Sequence, residues 1–181
     1  MTPAVRSYSA TGKGLHWLVV LLVAMQFAAA LGLPDIGRDT KPSEVIDLHF
    51  SLGILILVVM AIRLAHRLAR PVPLEAGDAR PLERFLARAI HRVFYLILLV
   101  GPFLGWASAS SHGLDVTFFG LFTLPAIAPK GAHWANLAGD IHGLGMWTLA
   151  GLIGAHAVAA LYHHLVRHDG TLLRMSPSAG D

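Results

Sequence analysis

GDIHGLGMWTLAGLIGAHAVAALYHHL, residues 139–165, is the stretch on which the fold turns. From 144 to 165 it holds no Asp, Glu, Lys or Arg, and as a helix it is long enough to cross a hydrocarbon core of ~30 Å. It nevertheless carries His142 and His156. The fourteen residues between them turn an α-helix to within about 40° of one face and advance it about 21 Å, so one stripe presents two imidazoles at two depths. An ionisable side chain inside a membrane is costly, roughly 3 kcal/mol for the charged types at a span centre, so each histidine there needs a reason. Partners for the two must come from other spans.

Three further apolar stretches meet the same length requirement, over residues 15–33, 46–64 and 93–109. The third is the shortest and continues backwards as an amphipathic run through Phe85 to His91. Pro34, Asp35 and Gly37 stop the first helix, and Ser43 followed by Glu44 reads as the cap that opens the second. Residues 70–81, rich in Pro, Arg and Asp, turn the chain into the third. The connection over 110–140 is the longest, and its Phe118, Phe119, Leu121, Phe122 and Leu124 point to a short segment lying on the membrane. The 181 residues are 55% hydrophobic and 14% charged, with a mean hydropathy of +0.59, so much of the surface meets lipid rather than water. The expected architecture is all-α, an integral membrane four-helix bundle forming one domain over 1–181, with no internal repeat or low-complexity tract. The chain has no cysteine, which excludes disulfides, thiolate metal sites, iron–sulfur clusters and covalent Cys-x-x-Cys-His haem attachment.

Lys13 ahead of an apolar run ending in Ala28, Ala29 and Ala30 has the outline of a signal peptide. The run is long for one, and His16 and Trp17 at its start have another use, so it reads as a span. Orientation follows from the cations. Arg6, Lys13, Arg63, Arg67, Arg70, Arg80, Arg84, Arg88, Arg92, Arg167 and Arg174 fall on one side, against Arg38, Lys41 and Lys130 on the other. Both termini are therefore expected in the cytoplasm. Used as topology signals, these residues give no argument for nucleic acid as a partner of a chain whose formal charge is +3.

Depth then pairs the histidines. Counted inward from outer boundaries at Pro34, Ser43, Ser111 and Gly139, His49 and His142 lie six and three residues in, and His16 and His156 eighteen and seventeen. Each pair agrees to roughly 5 Å. Two stacked levels, each with histidines from different helices, are what a four-helix bundle needs to hold two haems across a membrane. With both axial positions filled, such haems carry electrons and leave no position open to oxygen. Zinc or iron bound directly would need more ligands than two histidines per level. Gly12, Gly53, Gly143, Gly145, Gly151 and Gly154 leave flat space for a porphyrin, or serve close helix packing. His91, at twenty residues deep, rivals His16 as the inner ligand. His66, His164 and His168 fall with it at the cytoplasmic interface, and His112 and His133 in the outer loop. His163 follows His156 by seven residues on the same face, about 10 Å deeper, and is the candidate to bind or protonate a substrate beside the inner haem. Arg63, fourteen residues after His49, either meets a haem propionate or snorkels to the cytoplasm.

Tyr8-Ser9, Leu15-His16-Trp17-Leu18, Asp47-Leu48-His49, Arg63-Leu64, His142-Gly143, His156-Ala157, His163-His164 and Thr171-Leu172-Leu173-Arg174-Met175, in this order and spacing, resemble the bacterial cytochrome b561 family. The resemblance covers nearly the whole chain. It implies two haems b, the inner on His16 and His156 and the outer on His49 and His142, in a multi-pass protein of the bacterial inner membrane that transfers electrons with ubiquinone. Some members are superoxide oxidases, which pass an electron from superoxide at the periplasmic face inward to the quinone. The outer face here carries three cations against Asp35, Asp39, Glu44, Asp47, Asp115 and Asp140, a formal −3 that repels an anion unless Arg38, Lys41 or Lys130 forms a local funnel. Two other readings remain open: a non-catalytic haem anchor linking a dehydrogenase or periplasmic partner to the quinone pool, and a haem-free transporter or proton relay.

Overall fold

A computed structural model describes residues 8–37, 39–70 and 80–176. Four helices, α1 (Ala10–Leu31), α2 (Glu44–Ala69), α3 (Pro81–Ser111) and α4 (His133–Leu165), are each long and apolar enough to cross a membrane. The connection expected to lie on the membrane is a β-hairpin, β1 (Val116–Phe118) paired antiparallel with β2 (Phe122–Leu124), and a short 3-10 turn spans Leu173–Met175. The bundle is all-α as expected. The hairpin departs from it because Val-Thr-Phe and Phe-Thr-Leu are β-branched and aromatic triplets around a left-handed Gly120 (φ 69°).

The helices outrun their apolar centres, because hydropathy registers only the part in lipid. α3 opens on Pro81, whose missing N–H costs nothing at a first helical position, and the Arg80 N–H donates to the Glu83 carboxylate at 3.0 Å. α4 opens at His133, well before the boundary taken at Gly139, so His133 is helical rather than in a loop and His112 is the C-cap of α3. Ser43 precedes α2 as expected, but its side chain makes no capping bond. Arg6, Arg38 and most of the turn before α3 lie outside the described residues.

Helix packing runs α1 with α2, α2 with α3 and α3 with α4, while α4 stands off from α1 and α2. The central core joins Val19, Leu22 and Val23, Leu52, Ile56, Val59 and Met60, Leu98, and Leu149 of α4. Shape complementarity must hold this core together, since lipid tails are as apolar as leucine and give little drive to pair helices. One end of the bundle brings the start of α1 against the segment that follows α4. Tyr8 N–H donates to the Arg174 carbonyl at 3.3 Å, Trp17 Nε1–H to the Met175 carbonyl at 2.9 Å, and Arg167 meets Glu83 at 3.5 Å. Most of the basic residues are at this end, hereafter the inner end. His66, expected to be solvated or lipid-facing, packs there against the start of α1, with Nε2 3.4 Å from Ser9 Oγ.

At the outer end Ser51 pins the hairpin to α2. Its Oγ lies 2.7 Å from the Asp47 carbonyl and 3.2 Å from the Thr117 carbonyl, and accepts from Phe119 N–H at 2.8 Å. That bond holds Phe119 in the left-handed region (φ 47°), which bulky residues avoid. The hairpin tip leaves Phe119, Leu121 and Phe122 exposed, an apolar edge suited to the lipid surface.

Candidate functional site

His49 of α2 and His142 of α4 meet near the outer end, with ring centroids 6.3 Å apart and planes at 80°. Two imidazoles that share one metal at about 2 Å per nitrogen have centroids about 6 Å apart. His142 Nδ1–H donates to the Gly101 carbonyl at 2.8 Å, which fixes the tautomer and leaves Nε2 to ligate. The ring fits because α3 is cut back beside it. A Cβ on Gly105 would stand 3.2 Å from His142 Cε1, and one on Gly101 would stand 2.9 Å from Met146 Cε. Between these glycines, Pro102 interrupts the helical hydrogen bonds. Gln26 of α1 completes the level, with Nε2 3.2 Å from both nitrogens of His49. The sequence reading missed Gln26, Gly101 and Gly105; the signal for the glycines was the Gly-Pro-x-x-Gly inside a span.

At the inner level His156 of α4 has His91 of α3 beside it, with centroids 5.5 Å apart, and Phe94 at 5.6 Å. His91, expected at the interface by default, is thus half-buried within the bundle, with Nδ1–H donating to the Ala87 carbonyl at 2.6 Å. His16 of α1 lies within electrostatic reach of Arg63, His156 and His91, its ring edge-on to Trp17 at 5.6 Å. The Arg63 guanidinium crosses to the first turn of α1 and donates to the Gly12 carbonyl at 3.1 Å. The structure therefore brings all three candidate inner histidines to one level.

His163 lies beyond His156 and is held from below. The chain reverses after α4 through left-handed His168 (φ 50°), and Asp169 returns so that His163 Nδ1–H donates to its carboxylate at 2.6 Å. Thr171 N–H donates to the other carboxylate oxygen at 2.9 Å. Burial alone would raise the Asp169 carboxyl, but the hydrogen bonds from Thr171 and His163 outweigh it and hold it below its ordinary value. A carboxyl depressed in the folded state stabilises the turn above its unfolded pKa, and that contribution is lost as pH falls through the folded value. The Thr171 amide is accordingly expected to stay protected from hydrogen exchange at neutral pH and to lose protection below the ordinary carboxylate range. Unchanged protection on acidification would contradict this.

α4 stands off from α1 and α2, and its glycines, spread around the helix, add no bulk beside it. A Cβ at Gly143, Gly145, Gly151 or Gly154 would meet nothing within 4 Å, whereas one at Gly12 or Gly53 would touch Ser9, His66 or Gln26. The first four leave open space and the other two serve packing. Among the described residues, the buried polar side-chain atoms without a partner are Gln26 Oε1, Tyr95 OH and Trp106 Nε1. Tyr95 is one turn from His91 and Trp106 is next to Gly105, so α3 carries a buried hydroxyl and a buried indole N–H without protein partners. Leu149, seven residues from both His142 and His156, is 1% exposed and plugs the core between the levels.

Spanning helices that gather histidines at two levels of the bundle define the class of membrane cytochromes that hold haem inside a four-helix bundle. The family model of prokaryotic cytochrome b561 matches residues 7–178, and the chain belongs to that family. It is a multi-pass membrane protein that binds b-type haem and serves electron transport. It is 31% identical to cytochrome b561 homolog 2 of Escherichia coli over 93% of this chain and 90% of that protein. It is 35% identical to the probable superoxide oxidase CybB of Yersinia pestis, over 95% and 97%. With cytochrome b561 homolog 1 of Escherichia coli the identity is 34%, over 94% and 97%.

Proposed function

We propose that the chain, one domain over 1–181, is a two-haem oxidoreductase of the bacterial inner membrane with both termini cytoplasmic, carrying electrons from superoxide at the periplasmic face to ubiquinone. The observation that carries this reading is that His49 meets His142 near the outer end of α4 and that, fourteen residues on, His16 and His91 gather about His156. His49 and His142 hold the outer haem, and His16 and His156 the inner one. His16 is preferred to His91 because α1, like α2, faces α4 across the gap, whereas α3 packs directly on α4 and leaves no room for a porphyrin between them. Haem iron supplies one-electron transfer at each level. The likeness to a probable superoxide oxidase supports the donor.

Two superoxide anions each lose one electron and leave as O2, and ubiquinone takes both electrons and two protons to become ubiquinol. Leu149 and the core around it keep water out between the levels. Arg63, fixed on Gly12, stands beside His16 with guanidinium hydrogens to spare for a propionate. His163 is the proton-donating contact for the quinone, oriented by Asp169. At the outer face Lys41 shares a shallow concavity with Asp35 and Asp39, and Lys130 folds its chain over Gly113. Arg38 lies outside the described residues. Such mixed charge predicts a modest salt effect on superoxide oxidation.

The test is to give superoxide to purified protein in the presence of a soluble ubiquinone. Rapid haem reduction followed by quinol formation is expected, and His163→Ala should slow quinol formation by roughly tenfold or more while leaving the haem spectra intact. If a quinol reduces the haems readily and superoxide does not, the donor is wrong and the haem anchor reading replaces this one.

A further inference from the structure

After α4 the chain turns back through left-handed His168 and runs to α1. Its first hold is on α4 itself. Asp169 N–H donates to the His163 carbonyl at 3.2 Å, and the Asp169 carboxylate accepts from His163 Nδ1–H at 2.6 Å and from Thr171 N–H at 2.9 Å. Its second hold is on α1, where the Met175 carbonyl accepts from Trp17 Nε1–H at 2.9 Å. The Arg174 carbonyl accepts from Tyr8 N–H, just ahead of the helix, at 3.3 Å. Between the two holds the segment is braced by its own bonds, Arg174 N–H to the Gly170 carbonyl and Met175 N–H to the Leu172 carbonyl, both at 3.1 Å. Residues 169–175 thus cross from α4 to α1.

The crossing falls where the helices themselves do not meet. α4 packs on α3 and stands off from α1 and α2, and in lipid two apolar helices gain little by closing on each other. His16 is one residue from Trp17 on α1, and His156 is seven residues before His163 on α4. Side chains of a helix lean towards its N-terminus, so the indole reaches from the level of His16 back towards the inner end. A tryptophan at a membrane interface ordinarily turns its N–H to water and headgroups. Trp17 gives it to a protein carbonyl instead.

We propose that residues 169–175 are a strap that fastens α1 to α4 at the inner end and limits how far the two helices separate around the inner haem, with Trp17 as its anchor on α1 and Asp169 as its anchor on α4. Trp17 is then a positioning residue: it holds the strap and touches no iron. The inference rests on an inner haem held between His16 and His156.

The experiment follows Trp17→Phe, Asp169→Ala and the double variant of the holoprotein by two readouts. One is amide hydrogen exchange over residues 171–176, and the other is the rate at which each haem passes to excess apomyoglobin. His16→Ala and His142→Ala, each keeping one haem, identify which haem leaves. Either single substitution should raise exchange in the strap and speed release of the inner haem by roughly 2- to 10-fold, the weight of one hydrogen bond, with the outer haem unmoved. The double variant should release it little faster than the faster single one, because a strap freed at one end no longer joins the helices. Independent local effects at two distant sites would instead multiply. Multiplied rates, inner release unchanged in both single variants, or equal acceleration of both haems overturns the proposal. If Trp17→Phe fails to assemble, Asp169→Ala, which lies beyond the spans, decides: faster release of the inner haem alone supports the strap, and unchanged release overturns it. Failure of the underlying ligand assignment looks different, because His16→Ala would then keep the inner haem.

Discussion

His142→Ala is expected to strip the outer haem from the protein while the inner one stays. The substitution removes one of the two proposed ligands and, with it, the bond to the Gly101 carbonyl that holds the ring. Loss of a group that merely orients a metal ligand costs about 10- to 100-fold in affinity, and loss of the ligand itself should cost more. A non-covalent haem left on His49 alone would wash out during purification. The inner level is insulated from the change, since His156 lies about 21 Å along α4 with Leu149 packed midway. Haem content should therefore halve, and the surviving spectrum should be that of a six-coordinate low-spin site. An undiminished haem content in a folded His142→Ala protein would remove His142 from the ligand set.

The second large effect separates His16 from His91. His16→Ala should abolish the inner haem and, with it, quinone reduction, whereas His91→Ala should leave the inner haem six-coordinate. The reason is architectural: the flat group needs the gap between α4 and α1, and His91 reaches His156 from the helix packed directly on α4. Haem quantification with magnetic circular dichroism, which distinguishes bis-histidine from five-coordinate haem, reads both variants. Retention of the inner haem in His16→Ala together with its loss in His91→Ala would reverse the assignment.

Much of this was legible because a membrane imposes two coarse rules, span length and the cost of buried ionisable groups. Four apolar runs gave the bundle, and depth brought His49 to His142. That pairing tolerated an error in the start of α4, which begins at His133 rather than near Gly139, because the first turns of α4 lie beyond the level at which α2 starts. Helix ends were less legible than their centres: the amphipathic run carried α3 back to Phe85 but not to its start at Pro81, since polar turns continue a helix without adding hydropathy. The hairpin was hidden among aromatics that serve a strand and a surface-lying segment equally well. Gln26 was invisible for a different reason: a lone amide in a span is ordinary until its neighbour on another helix is known. His163 was legible as a face of α4, but its tie to Asp169 depends on a left-handed residue after the helix, which no periodicity marks.

The account stands most directly on the number of haems per chain. A pyridine haemochrome assay on the purified protein, set against chain concentration from amino-acid analysis, is predicted to give two non-covalent haems b, both extracted by acid-acetone. A ratio of one or none in fully folded protein would contradict the pairing of histidines at two levels of α4.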